Sequence, residues 1–210
     1  MEEAFFMRNT NTKTYKLVVT ALLSALVIVM AFTPLGFLKV GAVEISFLML
    51  PVAIGAVTCG FGSAVFLALL FGVASFIQCF GMSALGVFLM TLNPVFCFIT
   101  CVVARLIAGV IAGLVAKATR KIGVAGYILT GLSAACANTI FFVGAIILFF
   151  FGNDAFQTQM TEWGISTENA WLFACAFATT NCLIEAAATA FLTGAVGAAL
   201  KKAGFIKTAD

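Results

Sequence analysis

The stretch Asn93–Lys121, NPVFCFITCVVARLIAGVIAGLVAKATRK, leaves a folding chain few choices. A turn signal at Asn93-Pro94 opens it, and the basic cluster Lys117, Arg120 and Lys121 closes it. Between these ends the only full charge is Arg105. An apolar run of this length matches a hydrocarbon core about 30 Å thick, and in lipid its backbone polar groups are satisfied internally only as a helix. Around Arg105 the small residues Ala104, Ala108, Ala112 and Ala116 recur at every fourth position, which gives one smooth face for another helix. One segment thus combines a membrane span, a buried cation and a packing face.

Composition extends this reading to the whole chain. Of 210 residues, 63% are hydrophobic and 9% charged, whereas soluble domains carry about one quarter charged residues. So few charges cannot cover a soluble surface. The expected fold is all-α, a single polytopic membrane domain over residues 1–210. A net charge of +3 gives no reason to expect a nucleic-acid partner. There are seven Cys and no His. Cys97 and Cys101 lie one helical turn apart, but no second pair or imidazole accompanies them, so no zinc or haem spacing is present and the cysteines read as small apolar fillers. The lack of His also counts against a nickel or cobalt site. Neither metal nor cofactor is expected. With no Walker loop, paired carboxylates or nucleophile and base, the chain does not read as an enzyme. Energy for any active transport then comes from another subunit.

Glycine, proline and polar punctuation divide the chain into six spans, approximately 15–32, 45–58, 64–77, 94–116, 126–151 and 168–200. A polar tail, 1–13, precedes them. Loop 34–44 carries Pro34, Gly36, Gly41, Lys39 and Glu44; loop 78–91 is weakly polar; loop 152–167 is the most polar interior segment, a surface stretch with room for a short helix. As one helix, residues 45–77 would be about 50 Å long, well beyond the bilayer core, so they divide in two. Six spans place Arg8, Lys13, Lys16, Lys117, Arg120, Lys121, Lys201, Lys202 and Lys207 on one side. Lys39 falls on the other, with Glu44, Asp154, Glu162 and Glu168. That asymmetry predicts cytoplasmic N- and C-termini. Five spans would oppose the 117–121 cluster to the N-terminal basic residues. No internal repeat is visible, which weakens a secondary transporter built from inverted repeats.

Only Arg105 and Glu185 are ionisable deep within spans. At helical rise they lie roughly 18 Å and 24 Å from the basic ends at Lys117 and Lys201. Buried charges of this kind face a partner or a cavity. Three readings stand: a structural Arg105–Glu185 pair that fixes packing, a polar cavity in which the guanidinium grips a ligand carboxylate or phosphate, or a charge that faces a partner protein. Asn138 is mid-span, and Asn181 sits one turn from Glu185 on the same face. These amides either read ligand hydroxyls and amides or tie helices together. Asn93, before Pro94, reads as a helix start. Small residues also recur at Ala21 and Ala25, at Gly109 and Gly113, and at Ala186, Ala190, Gly194 and Ala198. Those of the fourth and sixth spans read as internal packing, with a face for another subunit as the alternative. Trp163 and Trp171 bracket the last outer loop as interfacial anchors or as ligand-stacking rings.

The pieces TALLSALVIVMAFTPLG, ISFLMLPVAIGAVTCGFGSAVFLALLFGVASF, ARLIAGVIAGLVAK and TNCLIEAAATAF occur in an order and spacing that together resemble the substrate-binding S component of an energy-coupling factor (ECF) vitamin transporter. The resemblance covers nearly the whole chain. It implies a multi-pass protein of the bacterial cell membrane that captures a small polar micronutrient outside the cell. The pocket would lie in the outer halves of the fourth to sixth helices under loops 34–44 and 78–91, with Arg105, Glu185, Asn181 and Asn138 as binding residues. The implied partners are a transmembrane coupling protein, docked on Ala21 and Ala25, and two cytoplasmic ATPase subunits. The S component hydrolyses no ATP and topples in the membrane to deliver its ligand. The general look resembles the pantothenate-type branch, whose ligand offers a carboxylate, an amide and hydroxyls; other polar vitamins would suit the same residues. In one departure, Ala104 stands where many relatives carry Pro before the arginine. The alternatives are a self-sufficient secondary transporter of a small organic anion and a membrane assembly subunit without ligand. A conductive pore calls for polar rings through the inner halves, and these helices have few.

Overall fold

The structure, a computed structural model, describes residues 13–40, 43–165, 167–204 and 206; at 35, 37–40, 43–45 and 176–181 it describes the backbone alone. The tail with Arg8, the loop residue Gly41 and the C-terminal Lys207 lie outside the described residues, as do the side chains of Lys39, Glu44 and Asn181. The helices are α1 (Lys13–Phe32), α2 (Met49–Thr58), α3 (Phe61–Gln78), α4 (Ala84–Leu92), α5 (Pro94–Ala118), α6 (Val124–Phe150), α7 (Asp154–Glu162) and α8 (Ala170–Lys202). Strands β1 (Phe37–Val40) and β2 (Val43–Ser46) form a short antiparallel hairpin, Lys39 opposite Glu44, ahead of α2. The chain is a polytopic helical bundle: among the described residues, five helices are long and apolar enough to cross a membrane, and α2 is a shorter apolar one.

The short helix holds the bundle together. α2 packs against α1, α3, α5, α6 and α8, and Met49, Val52, Ala53 and Ala56 are buried. A helix apolar all round is buried all round. Its ten residues rise only about 15 Å, half a bilayer, so it acts as a plug at the axis. The sequence places a second span at 45–58; instead its first residues belong to β2 and only the remainder is helical. Gly60, with φ 94°, reverses the chain between α2 and α3 in a conformation few L-residues adopt. The outer helices turn apolar side chains outward: Leu17, Leu148, Phe191 and Trp171 are at least 70% exposed. In water these would be a liability, whereas lipid accepts them.

Close helix approach does the packing within the bundle, since lipid tails remove most hydrophobic preference for the interior. α3 and α5 cross backbone to backbone. A Cβ on Gly72 would lie 2.9 Å from the Val102 Cα, and one on Gly109 would overlap the Ala68 methyl. Ala104, Ala108 and Ala112 are buried in the same seam, so this ladder packs inside the chain, as do Ala186, Ala190 and Gly194 of α8. Because backbone cannot yield as a side-chain tip can, Gly109→Leu is expected to destabilise the bundle by about 3 kcal/mol or more. The check is a lowered thermal transition in detergent, with Ala198→Leu, at a half-buried position, as the milder comparison.

Two cores result. One gathers mostly small and aliphatic residues of α1, α2, α3, the second half of α5 and the first half of α6. The other is rich in aromatic residues and is built by α4, the first half of α5, the end of α6, α7 and the start of α8. Two expectations for the connections change. Loop 78–91 contains α4, capped by the Ser83 hydroxyl, and loop 34–44 carries the hairpin. Both segments are short and apolar, so periodicity gave little sign of them. The 152–167 segment forms α7, as its polarity allowed, capped by Asn153. Asn93 caps α5, its Oδ1 accepting from the backbone N–H of Val95 at 3.0 Å and Phe96 at 3.2 Å, with Pro94 in the first turn, where its missing N–H costs nothing.

Candidate functional site

Arg105 on α5, Asn138 and Thr139 on α6, and Glu185 on α8 sit near the midpoints of adjoining helices, at the junction of the two cores. On α5, Cys97 and Cys101 belong to the aromatic core while Ala108 and Ala112 belong to the aliphatic one, so Arg105 falls between. On α6, Ala134 and Ala137 likewise lie on one side of Asn138, and Val143 and Ile146 on the other.

Of the four predicted polar residues, the three whose side chains are described are buried: Arg105 is 7% exposed, Asn138 6% and Glu185 3%. The Asn138 amide donates to Glu185 Oε1 at 3.2 Å, and the Thr139 hydroxyl donates to Oε2 at 3.4 Å. Arg105 Nη1 donates to the Thr100 carbonyl at 3.2 Å. Its guanidinium carbon lies 4.2 Å from the centroid of the Phe142 ring and 5.2 Å from that of Phe71, contacts that stabilise a desolvated cation. The direct Arg105–Glu185 pair that one sequence reading offered does not form. Aromatic rings cover the guanidinium, and α6 side chains hold the carboxylate. The opposite charges still act on each other at longer range, which lowers the cost of having both in the bundle.

The cluster is polar beyond what it satisfies internally. Arg105 Nε, Asn138 Oδ1 and the hydroxyls of Thr100, Thr189 and Thr193 are buried without a protein partner. Buried polar atoms are normally paired, and these five are exceptions to that rule. Sequence reasoning missed Thr100, Thr139, Thr189 and Thr193. Threonine is ordinary in membrane helices; the available signal was that Thr189 and Thr193 follow Glu185 at successive turns of one face.

Rings fill the core on the α4–α7 side of this cluster. Phe96 stacks on Phe149 at 4.7 Å, Phe88 on Phe156 at 6.3 Å, and Trp163 meets Phe88 edge-on at 6.1 Å. Trp163 is therefore partly inside the fold, while Trp171 is outward at 77% exposure, as an interfacial anchor would be. Asn181 lies on the α8 backbone one turn from Glu185. β2 packs against α8. At the other end of the bundle, Lys16, Lys117 and Arg120 line one cavity of about 270 Å³, so the start of α1 and the end of α5 share that end. Ala21 and Ala25 are exposed and line a groove between α1 and α3, together with Thr20, Ser24, Ser63 and Phe66. The Thr20 and Ser63 hydroxyls meet there at 2.8 Å.

A second cluster was not legible from spacing. Cys79, at the end of α3, joins Cys97 and Cys101 of α5, and the three Sγ atoms lie within 4.8 Å of one another. Packing of α3 on α5 supplies the third sulfur that the sequence reading did not find.

Comparison with protein-family models finds that residues 15–197 match the model described as ECF transporter, substrate-specific component. No curated protein matches the chain.

Proposed function

Starting from the fact that the chain belongs to the substrate-specific components of ECF transporters, we propose that it captures a small polar micronutrient through the Arg105–Asn138–Glu185 cluster and hands it to partner subunits for ATP-driven uptake. Its family is one of transporter substrate-binding subunits rather than of enzymes, and the chain is a multi-pass membrane protein. Components of this family work with a module of a transmembrane protein and ATPases. The observation that carries the binding reading is the set of buried, unpaired polar atoms around Arg105 and Asn138. A ligand carboxylate suits the free guanidinium Nε, and ligand hydroxyl or amide hydrogens suit Asn138 Oδ1 and Glu185. Pantothenate offers each of these groups and is the first ligand to try. Asn181, one turn along α8, extends the same set.

The orientation follows from charge. Lys16, Lys117 and Arg120 gather at one end, and the positive-inside bias assigns that end, with both termini, to the cytoplasm of a bacterial cell. The polar cluster then faces the outer side from beneath the aromatic core that α4 and α7 help build. Ala21 and Ala25, on the open face of α1, take the transmembrane coupling protein.

Mass spectrometry of small molecules retained by the purified chain tests the binding reading. One polar organic acid per chain is expected, absent from the Arg105→Ala variant. Retention of nothing, with no binding across a panel of vitamins, would favour an assembly subunit. Uptake into liposomes without any ATPase would instead identify a self-sufficient transporter.

A further inference from the structure

We propose that Cys79, Cys97 and Cys101 form a three-thiolate site for a soft cation, copper(I), where the end of α3 and the turn of α4 meet α5. The proposal rests on the three sulfurs and not on the ligand-binding reading. Cys97 and Cys101 project from one face of α5 a turn apart, and Cys79 Sγ stands 3.7 Å from Cys101 Sγ. All three residues are buried, and no disulfide joins them. A cation 2.3 Å from each of three sulfurs in a trigonal plane holds them roughly 4 Å apart. The observed spread, 3.7 Å for one pair and at most 4.8 Å for any, is within a small side-chain adjustment of that triangle.

Ligand type and count select the ion. Thiolates favour copper(I) and zinc among first-row metals. Structural zinc takes four protein ligands, and zinc with three keeps a water in the fourth position; no other Cys, His, Asp or Glu joins the three among the described residues. Backbone closes the remaining space: Gly86 O lies 3.9 Å from Cys97 Sγ, and a Cβ on Gly86 would come within 2.8 Å of Cys79 Sγ. Copper(I) accepts three-coordination and needs nothing more. Binding exchanges thiol protons for the cation without any change of oxidation state. Arg105, one turn beyond Cys101 on the same face of α5, offsets one of the two negative charges that three thiolates around copper(I) leave. The bound ion staples the end of α3 to α5 beside the polar cluster.

The test titrates the reduced full-length chain in detergent, without oxygen, with copper(I) held by bicinchoninate. The expected result is transfer of one equivalent to the protein, with X-ray absorption showing three sulfurs at about 2.3 Å. The variant Cys59→Ser/Cys136→Ser/Cys175→Ser/Cys182→Ser should keep this behaviour, and Cys97→Ser/Cys101→Ser should lose it. The quadruple variant also removes Cys136 and Cys182, whose sulfurs lie 3.8 Å apart and form the competing thiol pair. Failure of the quadruple variant to take up copper(I), a two-sulfur environment in it, or full uptake by Cys97→Ser/Cys101→Ser each overturns the proposal. Should the double variant not fold, the quadruple variant decides alone.

Discussion

Arg105→Ala is expected to weaken ligand binding by roughly 100-fold or more while the protein still inserts and purifies. A charge-assisted hydrogen bond contributes about 1.5–3 kcal/mol, and a bidentate guanidinium–carboxylate pair makes two, so a factor of ten per 1.4 kcal/mol accumulates quickly. The variant also leaves Glu185 without its long-range counter-charge, although Asn138 and Thr139 still hold the carboxylate. Arg105→Lys separates charge from geometry: it keeps the cation but lacks the planar fork, and affinity should fall between the two. The measurement is equilibrium binding of the retained ligand, with the thermal transition recorded alongside. Affinity unchanged in Arg105→Ala would make the arginine a structural residue, held by Phe142, Phe71 and the Thr100 carbonyl.

The second large effect concerns the outer face of α1. Ala21→Trp and Ala25→Trp place an indole in the groove that α1 and α3 form with Thr20, Ser63 and Phe66. Neither residue is buried within the chain, so the bundle should tolerate the change. A smooth small-residue face that admits a partner helix does not. Assembly with the coupling protein and ATPases should therefore fail, ATP-driven uptake with it, and ligand affinity of the isolated chain should stay the same. Loss of ligand binding in these variants would refute a separate docking face.

Much of this architecture is legible in the sequence. Apolar runs and basic ends announce the long helices, and Arg105 and Glu185 stand out because charge is costly in lipid. Asn138 was identified as a polar residue of mid-span, and it does meet Glu185. What the sequence hides is of two kinds. The hairpin, α4 and the central position of α2 involve short segments without a distinguishing period. The Cys79–Cys97–Cys101 group and the placement of Arg105 beneath Phe142 depend on which helices cross, and residue types alone do not specify that. The direct Arg105–Glu185 pair does not form for the same reason: α6 brings Asn138 and Thr139 to the carboxylate and Phe142 to the guanidinium.

The two cores have a consequence for how such a chain changes over generations. Mostly small and aliphatic side chains fill the α1–α2–α3 side, where Gly72 and Gly109 leave no room for a Cβ against the facing helix. Rings fill the α4–α7 side, where Phe88, Phe96, Phe149, Phe156 and Trp163 meet through faces and edges that other large side chains can replace. Selection can therefore exchange rings on one side more freely than it can enlarge Gly72 or Gly109 on the other, where a Cβ already meets the facing helix.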